Sequence, residues 1–310
     1  MKTYYNFVIF HKKCPDGFTG FYILHMSNQI DKNAIIYPDV PSAKYPPQDI
    51  KNKDIIIIDV AYKYSVLKDI INKAKSVLFI DHHVTIREDT LKLQNEFKDK
   101  FKSIYDDKKS GATLTWDYFF PHKKHPYFID LIEDNDIGKW EMKNVKDFMT
   151  GFTVDFNLKL NTENIKKYKL LFNKSTINKL IEKGKIYNEY RKHLIEENST
   201  RVSFKRFPSE KIYKEYSNFF DKPGQYKIAL YCGSGCPNAT DLAKKIFENN
   251  NCDFFISWVL NFDKMEYILT LRSEKIDVGS IAALFNGGGH KYAAAMSFKT
   301  TQYTIQDLFL

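Results

Sequence analysis

Apolar residues in the first 140 positions follow two alternating rhythms. Continuous β-rich runs at residues 4–10, 34–37, 54–60 and 76–81 predict strands, with a further strand at 102–105. The runs DIIIIDV and SVLFID are apolar almost throughout, as expected of strands covered on both faces. Between the strands, residues 17–28, 64–74 and 110–120 have helical spacing. This alternation predicts an α/β domain: a largely parallel sheet with helices on both faces.

The middle of the chain is predicted to be helical. Residues 125–134 and 144–154 form short candidates. Residues 167–198 contain no Pro and one Gly and are dense in Lys, Glu, Ile, Leu and Tyr, which predicts a long helix bridging two domains. Its charges read as a solvated face. After residue 200 the pattern resets, with strands predicted at 226–232, 253–260 and 265–272 and helices at 238–249 and 278–285. The expected organisation is an α/β domain at 1–165, a helical linker at 166–199 and a smaller C-terminal α/β domain at 200–310.

Composition narrows the class. A chain of 310 residues with 43% hydrophobic and 27% charged content suits two globular domains and excludes a disordered polymer. The net charge of +9 favours anionic ligands without saying which. Four cysteines are too few for a disulfide scaffold and imply a reducing compartment. Cys232 and Cys236, four residues apart, give weak support for a zinc site. The apolar start reads as a strand rather than a signal peptide, and no apolar run approaches the roughly 20 residues that span a bilayer. A cytoplasmic protein without a membrane partner is expected.

Acidic residues and histidines cluster at the predicted carboxyl ends of the strands, where an open parallel sheet places its active site. They are His11, Cys14 and Asp16 after the first strand, Asp59 after DIIII, and Asp81-His82-His83 after SVLFI. A fourth cluster, Glu133-Asp134-Asn135-Asp136, follows a helical segment. Carboxylates at the ends of buried strands are costly unless solvated or paired with a cation. His and Asp together suit Mn²⁺, Mg²⁺, Fe²⁺ or Zn²⁺.

These residues, in this order, resemble the DHH phosphoesterase family, which takes its name from the triplet matched by Asp81, His82 and His83. His11, Cys14, Asp16 and Gly17 resemble a His-x-x-Cys-x-Asp-Gly first motif found in one subgroup, with oligoribonuclease or nanoRNase-like members. Asp59 matches the second motif, the segment from Glu133 to Ile137 resembles the fourth, and Ser110-Gly111-Ala112-Thr113 resembles a further segment. Gly287-Gly288-Gly289-His290, followed by Ala293 and Ala294, resembles the accessory domain called DHHA1. Ala295 stands where many relatives have Gly.

The resemblance implies two divalent metals, usually manganese, sharing a bridging carboxylate. Asp59 would be the bridge, with His11, Asp16 and His82 around the pair and one of Asp134 and Asp136 completing it. Asp81 would orient a neighbouring group and His83 would face the substrate phosphate. Many members carry a carboxylate at the position of Cys14, which is left open as ligand or buried bystander. In the accessory domain, Gly287, Gly288, Gly289, His290 and Arg272 would hold substrate phosphate.

The implied reaction is hydrolysis of phosphodiester or phosphomonoester bonds in short oligonucleotides or nucleotides by a two-metal activated water, as in a 3′–5′ exonuclease. Cyclic dinucleotide hydrolysis, polyphosphate or pyrophosphate hydrolysis, and an inactive nucleic-acid-binding relative are the alternatives. Short nucleic acid is the expected partner, and a homodimer is left open.

Overall fold

The structure is a computed structural model that describes residues 3–235 and 237–310. The chain divides into two compact units, Met1–Tyr187 and Asn188–Leu310. It is an α/β protein: a parallel five-stranded sheet flanked by helices, and a second, smaller sheet unit.

The first unit runs β1 (Tyr5–His11), α1 (Pro15–Met26), β2 (Ile30–Asp39), β3 (Asp54–Ile58), α2 (Tyr64–Lys73) and β4 (Ser76–Asp81). It continues with α3 (Arg87–Glu96), β5 (Phe101–Tyr105), α4 (Gly111–Phe119), α5 (Tyr127–Asp136), α6 (Val145–Asp155) and α7 (Thr162–Tyr168). The division between the units falls within α8 (Lys174–Ser199). The strand order is β2-β1-β3-β4-β5, every pair parallel.

Strand periodicity sorts the apolar runs onto two faces. Phe7, Ile9, Ile55, Ile57, Val77 and Phe79 pack against Val66, Leu67, Ile70 and Ile71 of α2 and Leu93 of α3. Val8, Phe10, Ile56, Ile58, Leu78 and Ile80 pack with α1, α4, α5 and α6. Central strands can be apolar in every position because both faces are covered.

Three differences from the sequence reading have physical causes. β2 is much longer than the predicted run at 34–37. It is an edge strand whose outer positions stay exposed, so polar residues are tolerated along it. α3 was not predicted, because only Thr90 and Leu93 are buried and no apolar stripe marks it. The long helix starts at Lys174 rather than at 167. Asn173 adopts an extended backbone (φ −94°, ψ 121°) and its side chain accepts the Ser175 N–H at 2.9 Å, which starts a new helix there.

The second unit holds β6 (Ser203–Phe207), α9 (Glu210–Glu215), β7 (Tyr226–Cys232), α10 (Ala239–Asn249), β8 (Phe254–Asn261) and β9 (Glu266–Ser273). α11 (Val278–Leu284), β10 (Gly288–His290) and β11 (Ala293–Lys299) complete it. The sheet order is β10-β11-β9-β8-β7-β6, and only β7 and β8 run parallel. The small-residue segment after His290 is a strand, with Ala294, Met296 and Phe298 buried in alternation. Among the described residues no helix is long and apolar enough to cross a membrane.

Candidate metal centre

The order β2-β1-β3 sets the position of the site. The chain leaves β1 through α1 to reach β2 on one side, and β3 lies on the other. At such a reversal the carboxyl ends of adjacent strands open a crevice. His11 ends β1, Asp59 follows β3, Asp81 ends β4 and His82 follows it, so the topology brings three separate sequence clusters to one rim.

Asp59 is at the centre. It is 1% exposed and adopts a left-handed backbone (φ 60°), a costly conformation for a non-glycine residue. His11 Nδ1 lies 3.3 Å from its Oδ2, and His82 Nε2 lies 3.3 Å from its Oδ1. Burial disfavours its charge, yet contacts with His11 and His82 hold the carboxyl down at about 2.

His82 Nε2 also lies 3.2 Å from Asp136 Oδ2 and 3.9 Å from Asp16 Oδ2. None of these contacts has hydrogen-bond geometry, and the nitrogen is buried without a hydrogen-bond partner among the described residues. Burial opposes a charge on this ring, but Asp136, Asp59 and Asp16 outweigh it and push its pKa up to about 11. A buried nitrogen facing three carboxylates without bonding any of them is the arrangement a shared cation would satisfy.

Asp16 is fully buried at the first turn of α1. Its Oδ2 accepts the Gly111 N–H at 2.7 Å and its Oδ1 accepts the Ala112 N–H at 2.9 Å, so it caps the N-terminus of α4. Burial, then Asp59 and Asp136, push its pKa well above the ordinary carboxylate range. Glu133 accepts the Ser110 N–H at 3.1 Å at the same helix end. The sequence assigned no role to Glu133. The signal was the Ser110 cap that opens α4, whose remaining donors need acceptors.

Three groups of residues have potential ligand atoms within 4.8 Å of one another: His11 with Cys14 and Asp59, Asp59 with His82 and His83, and Asp16 with His82 and Asp136. Asp59 belongs to two groups and His82 to two. The donor set therefore offers more than one place where a cation could be held, and Asp59 is common to two of them. Cys14 stands with His11 and Asp59 rather than apart from the site. Burial and the nearby Asp59 and Asp16 charges push its thiol upward, an effect a bound cation reverses.

The two aspartates of the fourth cluster separate. Asp136 faces His82. Asp134 is buried and accepts the Glu141 and Met142 N–H groups at 3.1 and 3.2 Å, so it braces the following loop and does not join the three groups.

Asp81 is fully buried, and its Oδ1 receives the His82 N–H at 2.7 Å, the His83 N–H at 2.9 Å and His83 Nδ1 at 2.8 Å. It thereby fixes the His83 ring, whose pKa is raised chiefly by this hydrogen bond. Asp81→Asn keeps the shape and removes the charge. The His83 titration, followed by NMR, is expected to fall toward the ordinary value of about 6.5. An unchanged titration would show that Asp81 does not govern the ring.

The predicted phosphate-holding residues lie in the second unit. His290, Ala293 and Arg272 share one register row across β10, β11 and β9. Arg272 is half-buried, donates from Nε to Thr240 Oγ1 at 3.0 Å, and lines a cavity of about 280 Å³ with Tyr231, Ser257 and Thr270. The triple glycine also has a packing role. A Cβ at Gly287 would meet Ala295 O at 2.3 Å, and one at Gly289 (φ 146°) would meet Ala293 O at 2.5 Å. Close pairing with β11 accounts for both, and only Gly288 has open space beside it. Cys232 is exposed, and Cys236 lies outside the described residues.

No protein-family model matches the chain. "Uncharacterized protein R106" of Acanthamoeba polyphaga mimivirus is 28% identical over 316 residues, covering 96% of this chain and 68% of the relative. Among solved structures, "pGpG-specific phosphodiesterase - PggH from Vibrio cholrae" is similar, with a TM-score of 0.51 and 14% identity, covering 96% of this chain and 94% of that one. At that identity the likeness is one of fold, and the chain therefore has the fold of a phosphodiesterase of known structure.

Proposed function

We propose that the protein is a metal-dependent phosphoesterase of the DHH type, hydrolysing ester bonds in short oligonucleotides or nucleotides. One observation carries the reading: buried His82 Nε2 faces Asp16, Asp59 and Asp136 without a hydrogen bond, in a cluster that Asp59 links to His11 and Cys14. Such a set is costly without cations and suited to holding them.

His11, Cys14, Asp16, Asp59, His82 and Asp136 would hold two divalent ions, Mn²⁺ first among the candidates, with zinc or iron favoured if the Cys14 thiolate binds. When bound, they supply water activation and neutralise charge on the phosphoryl group. The protein's own part is positional. Asp81 holds His83 beside Asp59 and favours its protonated form, which suits it to donate to a phosphoryl oxygen. Asp16 ties the first-motif loop to the N-terminus of α4. The reaction class agrees with the activity named for the similar structure, a phosphodiesterase specific for pGpG.

The test is manganese-dependent product release from a short oligonucleotide. His82→Ala is expected to abolish it while the far-ultraviolet circular dichroism stays that of the wild type. Wild-type rates in His82→Ala would refute the assignment.

A further inference from the structure

A cavity of about 640 Å³ in the first unit adjoins the metal-ligand loop. It is lined by Lys12, Lys13, Pro38, the stretch from Thr153 to Leu158, Lys159 and Leu160. Lys12 and Lys13 sit between His11 and Cys14, so two cavity walls belong to the loop that carries two of the clustered ligand groups. The Lys12 N–H donates to Asp39 O at 2.7 Å, and Lys13 holds a left-handed backbone (φ 60°). This fixes both residues relative to the end of β1.

The charges are unbalanced. The ammonium groups of Lys12, Lys13 and Lys159 make no ion pair or hydrogen bond among the described residues. The carboxylate lining the cavity, Asp155, is already paired with Lys183. The rest of the lining is mainly apolar, Pro38, Val154, Phe156, Leu158 and Leu160, with Thr153 and Asn157 as its neutral polar members. Inorganic phosphate chains offer nothing to such a wall. A nucleoside offers a flat apolar base and a neighbouring phosphate.

We infer that this cavity is a nucleotide subsite: it receives the nucleoside monophosphate unit next to the scissile phosphate, with the base against the apolar wall and its phosphate on the free lysines. The inference rests on the proposed hydrolase reading for its place in catalysis. It deepens that reading, because it selects nucleotide substrates over pyrophosphate or polyphosphate.

The test is calorimetric titration of the Mn²⁺-loaded full chain with adenosine 5′-monophosphate and with inorganic phosphate. Lys159→Ala and Val154→Asp change exposed wall residues outside the metal cluster. The wild type is expected to bind the nucleotide about tenfold more tightly than phosphate. Each variant is expected to lose about tenfold for the nucleotide. Equal wild-type affinities, or variants that bind the nucleotide as the wild type does, would overturn the subsite. Hydrolysis is measured separately on a 5′-phosphorylated dinucleotide. Absent turnover with the binding pattern intact would strike the hydrolase reading alone.

Discussion

Asp59→Asn is expected to lower Mn²⁺-dependent hydrolysis by more than about 100-fold. That is the upper end of what losing an outer-shell partner of a metal ligand costs, and Asp59 is argued to touch the ions directly. The substitution keeps the side-chain volume and removes the one carboxylate that, among the described residues, contacts both His11 and His82. Metal affinity should fall in parallel, because Asp59 belongs to two of the three ligand groups. Steady-state rates and equilibrium dialysis with Mn²⁺ check the two effects separately. A variant with reduced rate and unchanged metal content would mean that Asp59 acts on the substrate and not on the ions.

Gly184→Ala in α8 and Gly151→Ala in α6 are expected to destabilise the first unit by about 3 kcal/mol or more each. A Cβ at Gly184 would lie 1.7 Å from Asp147 O, and one at Gly151 would lie 2.0 Å from Leu180 O. The two helices therefore touch backbone to backbone, and neither obstacle is a side chain that could rotate away. The sign is diagnostic. In an exposed helix the same change would stabilise by up to about 1 kcal/mol, since Ala is the better helix former. Urea unfolding checks it: a lower midpoint at unchanged slope is predicted, and a higher midpoint would contradict the close approach.

Much of the first unit was legible because its strands are buried on both faces. After their first residues, DIIII and SVLFI are apolar throughout, and the residues that follow them, Asp59 and the Asp81–His83 triplet, lie at the strand ends where the chemistry was expected. Elements that bury little escaped notice. α3 covers the sheet with Leu93 and a few neighbours, and β6 exposes four of its five residues. Neither has the periodic apolar signal that sequence reading depends on.

The candidate site was legible by residue type and less so by role. Asp134 and Asp136 stand two apart on α5 with the same chemistry, so spacing could not separate them. Backbone N–H groups from a distant turn take Asp134, while Asp136 faces His82. Cys14 was ambiguous for a related reason. A thiol half-buried at a helix start is ordinary, and only its grouping with His11 and Asp59 sets it apart. The triple glycine shows the reverse case. A phosphate-binding motif can be written in residues that a tight strand pairing also demands, as Gly287 and Gly289 do against β11.

The most direct measurement is anomalous diffraction at the manganese edge from crystals of the full chain grown with Mn²⁺. Two peaks roughly 3.5–4 Å apart are predicted, both in contact with Asp59, one beside His11 and Cys14 and the other beside His82, Asp16 and Asp136. Peaks elsewhere, or a single ion that does not touch Asp59, would contradict the account.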